Sequence, residues 1–180
     1  MHALRIAIAI AWGVFWVGWL AAGFTAKRST GRRFFLGGRG AVAVAILIFI
    51  RGSGGHSLQI HSLAVAIVGA ALFVLGVALA IWARAILGRN WGMPMTQRAE
   101  PELVTAGPYE LVRHPIYSGI LLGMVGTSLV TSLIGLGIAL ILGAYFIYAA
   151  RVEESNLTAT FPSTYPAYRQ RTKMLIPYVL

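Results

Sequence analysis

Residues 116–150 read IYSGILLGMVGTSLVTSLIGLGIALILGAYFIYAA, thirty-five positions without one charged side chain. One helix needs about 20 residues to cross a hydrocarbon core about 30 Å thick, so this run is too long for one crossing and short for two full ones. It predicts a tight helical hairpin turning near Thr131-Ser132, with Gly135 and Gly137 easing the turn. Gly119-xxx-Gly123, with Gly126 and Gly143, would let helices approach closely in lipid.

Three further apolar runs lie upstream. Leu4–Ala26 carries Trp12, Trp16 and Trp19 and is followed at once by basic residues. Its length and tryptophans favour a retained helix over a cleaved leader. Residues 34–50 form a short run, and residues 63–87 a long continuous one. The predicted fold class is therefore an all-α integral membrane protein of about five transmembrane helices, the last two a hairpin. It forms a single membrane domain over 1–180, with spans near 4–26, 34–50, 63–87, 116–131 and 133–150. A motif segment at 88–115 and a tail at 151–180 complete it.

Composition agrees. The chain is 58% hydrophobic and only 11% charged, with a mean hydropathy of +0.76, whereas soluble domains carry about a quarter charged residues. The net charge of +10 does not indicate nucleic acid, because the bases sit in short clusters between apolar spans. Lys27, Arg28, Arg32, Arg33, Arg39, Arg84, Arg89, Arg98, Arg113, Arg151, Arg169, Arg171 and Lys173 fall on one side of the predicted spans, and Arg5 and Arg51 on the other. The positive-inside rule then puts the N-terminus outside and the thirteen bases, the motif segment and the C-terminus in the cytoplasm. The chain has no cysteine, which excludes disulfides, thiolate zinc sites and a thiol nucleophile.

Two polar clusters frame the hairpin on that cytoplasmic face. The first is Gly107-Pro-Tyr-Glu-Leu-Val-Arg113-His114-Pro115-Ile-Tyr117-Ser-Gly119, and the second Arg151-Val-Glu153-Glu154. Gly107-Pro108 marks a turn. Pro115 disfavours helix at His114 and suits the first turn of the following helix, so His114 is predicted at a helix N-terminus, where free N–H groups favour anions. With Arg113 as a cation and the glutamates as acceptors, the face offers an anion end and a cation end, which suits a zwitterionic amino-acid ligand. Arg113 and Arg151 read alone as snorkelling side chains, and the glutamates alone as a solvated stop; the two clusters together resist that reading.

Gly107-Pro108-Tyr109, then Arg113-His114-Pro115-Ile116-Tyr117-Ser118-Gly119, then Glu153-Glu154 closely resemble the isoprenylcysteine carboxyl methyltransferase family, within a wider set that includes phospholipid N-methyltransferases. Leu87-Gly88-Arg89-Asn90-Trp91, Tyr165, Tyr168 and Ile176-Pro177 also look like family segments, so the resemblance covers roughly residues 83–177. It implies S-adenosyl-L-methionine as methyl donor, S-adenosyl-L-homocysteine as product, no metal, and an acceptor that arrives from the bilayer. By matching position it implies cofactor contacts at Gly107, Pro108, Tyr109, His114, Tyr117, Gly119 and Glu153, and catalytic roles for Arg113, Arg151, Glu153 and Glu154. Two positions depart from the family: Pro162 follows Phe161 where glycine is common, and Ala149 replaces a common basic residue.

The predicted function is thus methyl transfer to a lipid-embedded acceptor, foremost the carboxylate of a prenylcysteine or similar isoprenoid amphiphile. A phospholipid or lipid-amine N-methyltransferase is the alternative. An NADPH-dependent membrane reductase and a non-catalytic membrane protein are weaker readings, since the one calls for more spans and the other leaves both clusters unexplained. Oligomeric state is left open by the sequence. The two glutamates are expected to differ in role, because helix neighbours point about 100° apart. Glu154, three residues from Arg151, is expected to pair with it and hold the tail, leaving Glu153 to face the cofactor.

Overall fold

The computed structural model describes residues 1–23, 29–30, 58–59, 61–91, 97–98 and 102–179. Five helices form among them: α1 (His2–Gly23), α2 (Leu63–Leu87), α3 (Pro115–Val130), α4 (Ile134–Thr160) and α5 (Tyr165–Arg171). A two-residue ladder joins β1 (Ser29–Thr30) antiparallel to β2 (Gln97–Arg98). The expected span at 34–50 lies outside the described residues. α1, α2 and α4 each carry a stretch long and apolar enough to cross a membrane, while α3 is apolar but shorter.

The bundle shows how membrane helices pack. α1 buries a stripe of Ile8, Trp12, Phe15 and Trp19, yet its outer face of Ile6, Ile10, Val14, Val17 and Leu20 is equally apolar, as a lipid-facing surface requires. With tails as apolar as leucine outside, helices associate through close packing and buried hydrogen bonds. Trp12 Nε1–H donates to Thr127 Oγ1 on α3 at 3.0 Å. Arg5 Nε–H donates to Val130 O at 3.1 Å, covering a carbonyl at the end of α3.

The tightest crossing is α2 on α3. The buried residues of α2 are Ala66, Gly69, Phe73, Gly76, Ala80 and Ala83, a three-four repeat of mostly small side chains. They meet Gly119, Gly123 and Gly126 of α3. A Cβ on Gly119 would lie 2.6 Å from Gly76 O, and one on Gly69 2.7 Å from Gly126 O. Sequence reasoning identified the α3 glycines but not their partner stripe on α2.

The hairpin turn occupies residues 131–133, between α3 and α4. Gly135 and Gly137, expected to ease it, lie inside α4 instead; the turn is closed by Gly135 N–H donating to Ser132 O at 3.0 Å. At 27 residues and 1.5 Å per residue, α4 is about 40 Å long, more than a core of about 30 Å requires. Glu153 and Glu154 lie about two turns before its end.

Candidate active site

The site grows from the Pro115 boundary. α3 begins at Pro115, with His114 as its N-cap at φ −127°, ψ 59°. Upstream, Gly107 takes φ +63°, a conformation glycine adopts without a Cβ penalty, and opens a 3-10 turn over Gly107–Glu110. This turn buries Tyr109, whose hydroxyl donates to Ala83 O at 3.4 Å.

The tail is strapped across this segment chiefly by main chain. Arg113 N–H donates to Lys173 O at 2.8 Å and His114 N–H to Met174 O at 3.1 Å. Ser118 Oγ donates to Leu175 O at 2.6 Å, and Tyr168 Oη to Tyr109 O at 2.7 Å.

Inside the strap, the His114 ring lies between the two glutamates, with Nδ1 3.4 Å from Glu153 Oε2 and Nε2 3.4 Å from Glu154 Oε1. The second contact is electrostatic more than a formed hydrogen bond, because Arg113 Nε holds the same Glu154 oxygen at 2.6 Å. Tyr117 Oη donates to Glu153 Oε1 at 2.6 Å. The His114, Tyr117 and Phe146 rings stack nearly parallel, with centroids 5.5 and 4.4 Å apart.

Glu154 is 3% exposed and pairs with Arg113 and, at 3.4 Å, with Arg169. Arg113 Nη1 also donates to Arg169 O and Thr172 O. The expected Arg151–Glu154 pair is not formed: Arg151 is exposed, and Glu154 turns inward to a partner forty-one residues away in sequence. The Glu153 side chain keeps 24% exposure against 4% for Glu154.

The structure thus gathers Arg113, His114, Tyr117, Glu153 and Glu154, with Gly107, Pro108 and Tyr109 forming the adjacent turn. It places Gly119 in the α2–α3 crossing and leaves Arg151 at the surface. Arg169, Phe146 and Tyr145 join the neighbourhood unanticipated. Arg169 had counted only as topogenic charge, and the two aromatics had no motif to mark them. Among the described residues no group of three or more His, Asp or Glu side chains is placed to hold a metal.

Burial alone would lower the His114 pKa, but the facing Glu153 and Glu154 carboxylates raise it above its ordinary 6.5. His114 therefore binds its proton more tightly folded than unfolded. Its stabilising share is full below about pH 6.5 and is lost as pH rises through the raised folded-state value. Melting temperature in detergent is expected to fall over that window, and His114→Gln to remove this part of the slope. Identical profiles for the two proteins would show that the imidazole carries no linkage.

The phospholipid methyltransferase family model matches residues 64–164, from the start of α2 to just past α4. The chain belongs to that family. The resemblance to isoprenylcysteine carboxyl methyltransferases within it also holds among individual relatives. Protein-S-isoprenylcysteine O-methyltransferase B of Arabidopsis thaliana is 32% identical over 115 residues, covering 62% of this chain and 58% of that protein. Cobalt-zinc-cadmium resistance protein CzcN of Cupriavidus metallidurans is 36% identical over 109 residues, 59% of this chain and 48% of its own length. Methanethiol S-methyltransferase 2 of Bradyrhizobium diazoefficiens is 43% identical over 70 residues, 38% and 26% of the two chains. The chain thus spans less than two thirds of each relative's length. This family member is an integral membrane protein, and membership of a methyltransferase family implies S-adenosylmethionine use in general.

Proposed function

We infer that the protein transfers a methyl group from S-adenosylmethionine to the polar head of a lipid-embedded acceptor, foremost a carboxylate such as that of a prenylcysteine. The observation that carries this is the Glu153 carboxylate. Tyr117 and His114 orient it, and it stays partly open at the cytoplasmic end of the α3–α4 hairpin, beneath a strapped tail. That donor set fits a cationic amino-acid ligand. Glu153 offers negative charge to an ammonium or sulfonium. When bound, S-adenosylmethionine supplies a methyl group already activated on a sulfonium. The chain's own work is alignment and exclusion of water. Glu153 and His114 bind and orient, the stacked Tyr117 and Phe146 rings shape the floor, and the tail closes the face toward water.

The five-span arrangement, the outside N-terminus and the tail as cover for the cofactor belong to the same proposal. α1 runs parallel to α2, since Arg5 meets the end of α3 while Trp19 meets Trp91 beyond the end of α2. Parallel neighbours in sequence agree with an odd number of spans and the charge asymmetry.

One observation favours a second reading of the acceptor. Arg113 is engaged by Glu154 and by tail carbonyls, leaving the surface Arg151 as the motif cation for a carboxylate. A lipid amine or a thiol needs no such cation and could use Glu153 as base. Radiolabelled methyl transfer into membrane extracts separates these readings: base-labile, volatile label means an ester, and stable label means N- or S-methylation.

Calorimetry is expected to detect S-adenosylhomocysteine binding and no NADPH binding. Glu153→Gln should weaken the former by about 1–3 kcal/mol through loss of a charged contact, with melting temperature held. Saturable NADPH binding without S-adenosylhomocysteine binding would replace this reading with a reductase.

A further inference from the structure

Tyr145 of α4 is the buried polar group that the reading above leaves without a settled role. It sits at a seam. Ala144 and Tyr148 beside it are exposed on an apolar helix, whereas Phe146 is 3% exposed. The Tyr145 ring is half-buried and tilts against Phe146 at 5.9 Å, the ring that stacks on Tyr117. Its hydroxyl is turned inward, shielded, and without a hydrogen-bond partner among the described residues, and Glu153 lies within electrostatic reach of it. A hydroxyl buried in an apolar setting without a partner costs free energy that phenylalanine would avoid. Phenylalanine occupies the very next position.

This seam lies between the exposed side of α4 and the Phe146–Tyr117 ring stack that reaches Glu153. Resting on the methyltransferase reading, we propose that the Tyr145 hydroxyl is a binding contact for the acceptor, donating to an oxygen of its polar head where the amphiphile passes from lipid into the site. Tyr145 is then a specificity residue. It binds the head and leaves the transferred methyl group to the geometry around Glu153. The polar group waits at the edge of the lipid face, where the bound head both desolvates it and satisfies it.

The test uses the full chain in vesicles, wild type beside Tyr145→Phe, with an N-acetyl-S-prenylcysteine as first probe and phosphatidylethanolamine as second. The expected result is a rise of about tenfold in acceptor KM for a methylated probe, the loss typical of one buried hydrogen bond. S-adenosylhomocysteine affinity should stay within about twofold, and melting temperature in detergent should be unchanged or higher because an unsatisfied hydroxyl has gone. An unchanged KM overturns the assignment and leaves the methyltransferase reading intact. A matching loss of S-adenosylhomocysteine affinity moves the hydroxyl to the cofactor, and a lowered melting temperature makes it structural; both overturn the assignment. If wild type binds no S-adenosylhomocysteine and methylates neither probe, the methyltransferase reading falls first and takes this one with it.

Discussion

Gly76→Val is expected to yield no monodisperse protein in detergent. A Cβ at position 76 would meet the backbone nitrogen of Gly123, and would lie 2.5 Å from Gly119 O and 2.9 Å from Gly123 Cα. These are backbone atoms of a packed helix, so no side chain can swing aside. α2 and α3 would have to separate, and the reciprocal contacts of Gly119 with Gly76 and Ala80, and of Gly126 with Gly69 and Phe73, would separate with them. Because close packing is the main attraction between helices in lipid, we expect a loss above about 3 kcal/mol, beyond ordinary overpacking. Gly137→Val is the control. A Cβ there meets nothing within 4 Å, and melting temperature should hold. Size-exclusion chromatography with thermal melts decides the matter; a well-behaved Gly76→Val protein melting like wild type would mean the crossing is looser than described.

The second large effect is expected at Glu154. Its carboxylate and the Arg113 side chain are 4% and 9% exposed and 2.6 Å apart. Removing the acid leaves a buried guanidinium whose remaining partners are carbonyls, and breaking such a pair costs about 3–5 kcal/mol. Glu154→Gln keeps an acceptor atom and should fall at the lower end of that range. Since Arg113 also donates to Arg169 O and Thr172 O, the tail should loosen before the membrane bundle does. Trypsin should then cut at Arg169, Arg171 or Lys173 while the core still resists. Glu153→Gln, at a site with 24% side-chain exposure, should melt near wild type and lose S-adenosylhomocysteine affinity instead. A double-mutant cycle between Arg113 and Glu154 should give a coupling of about 1–3 kcal/mol. A null coupling, with tail cleavage unchanged, would remove the lock.

Much of this site could be read from residue types alone, because the constraints were local. A proline fixes a helix start, so His114 had to lie at the N-terminus of α3. A hairpin returns the chain to its starting face, so the glutamates had to come back to the motif segment. Neighbouring helical residues diverge, so Glu153 and Glu154 had to look different ways. What could not be read was choice among distant partners. The spacing of Gly119, Gly123 and Gly126 announces a close approach without naming the helix that makes it, and only the matching stripe on α2 supplies the answer. The same holds for Glu154. An i, i+3 pair with Arg151 is worth only about 0.2–0.5 kcal/mol on a helix surface, and it loses to a buried arginine already held in place by the strap. Tyr145 escaped notice because an isolated tyrosine in an apolar run looks like core until its hydroxyl is traced and found without a partner among the described residues.

The strap itself fixes what this tail can become over evolutionary time. Beside the Tyr168 hydroxyl, its bonds to the motif segment end on carbonyl oxygens, those of Lys173, Met174 and Leu175 among them, atoms that every amino acid possesses. The exposed side chain of Lys173 is therefore free to drift with the lipids and proteins around it, whereas Met174 also packs against the core. Counting is another matter. One residue gained or lost between α5 and Leu175 would slide each carbonyl past its donor and turn Thr172 and Leu175, both buried, toward water. At these carbonyls the tail is written as a length more than as a text.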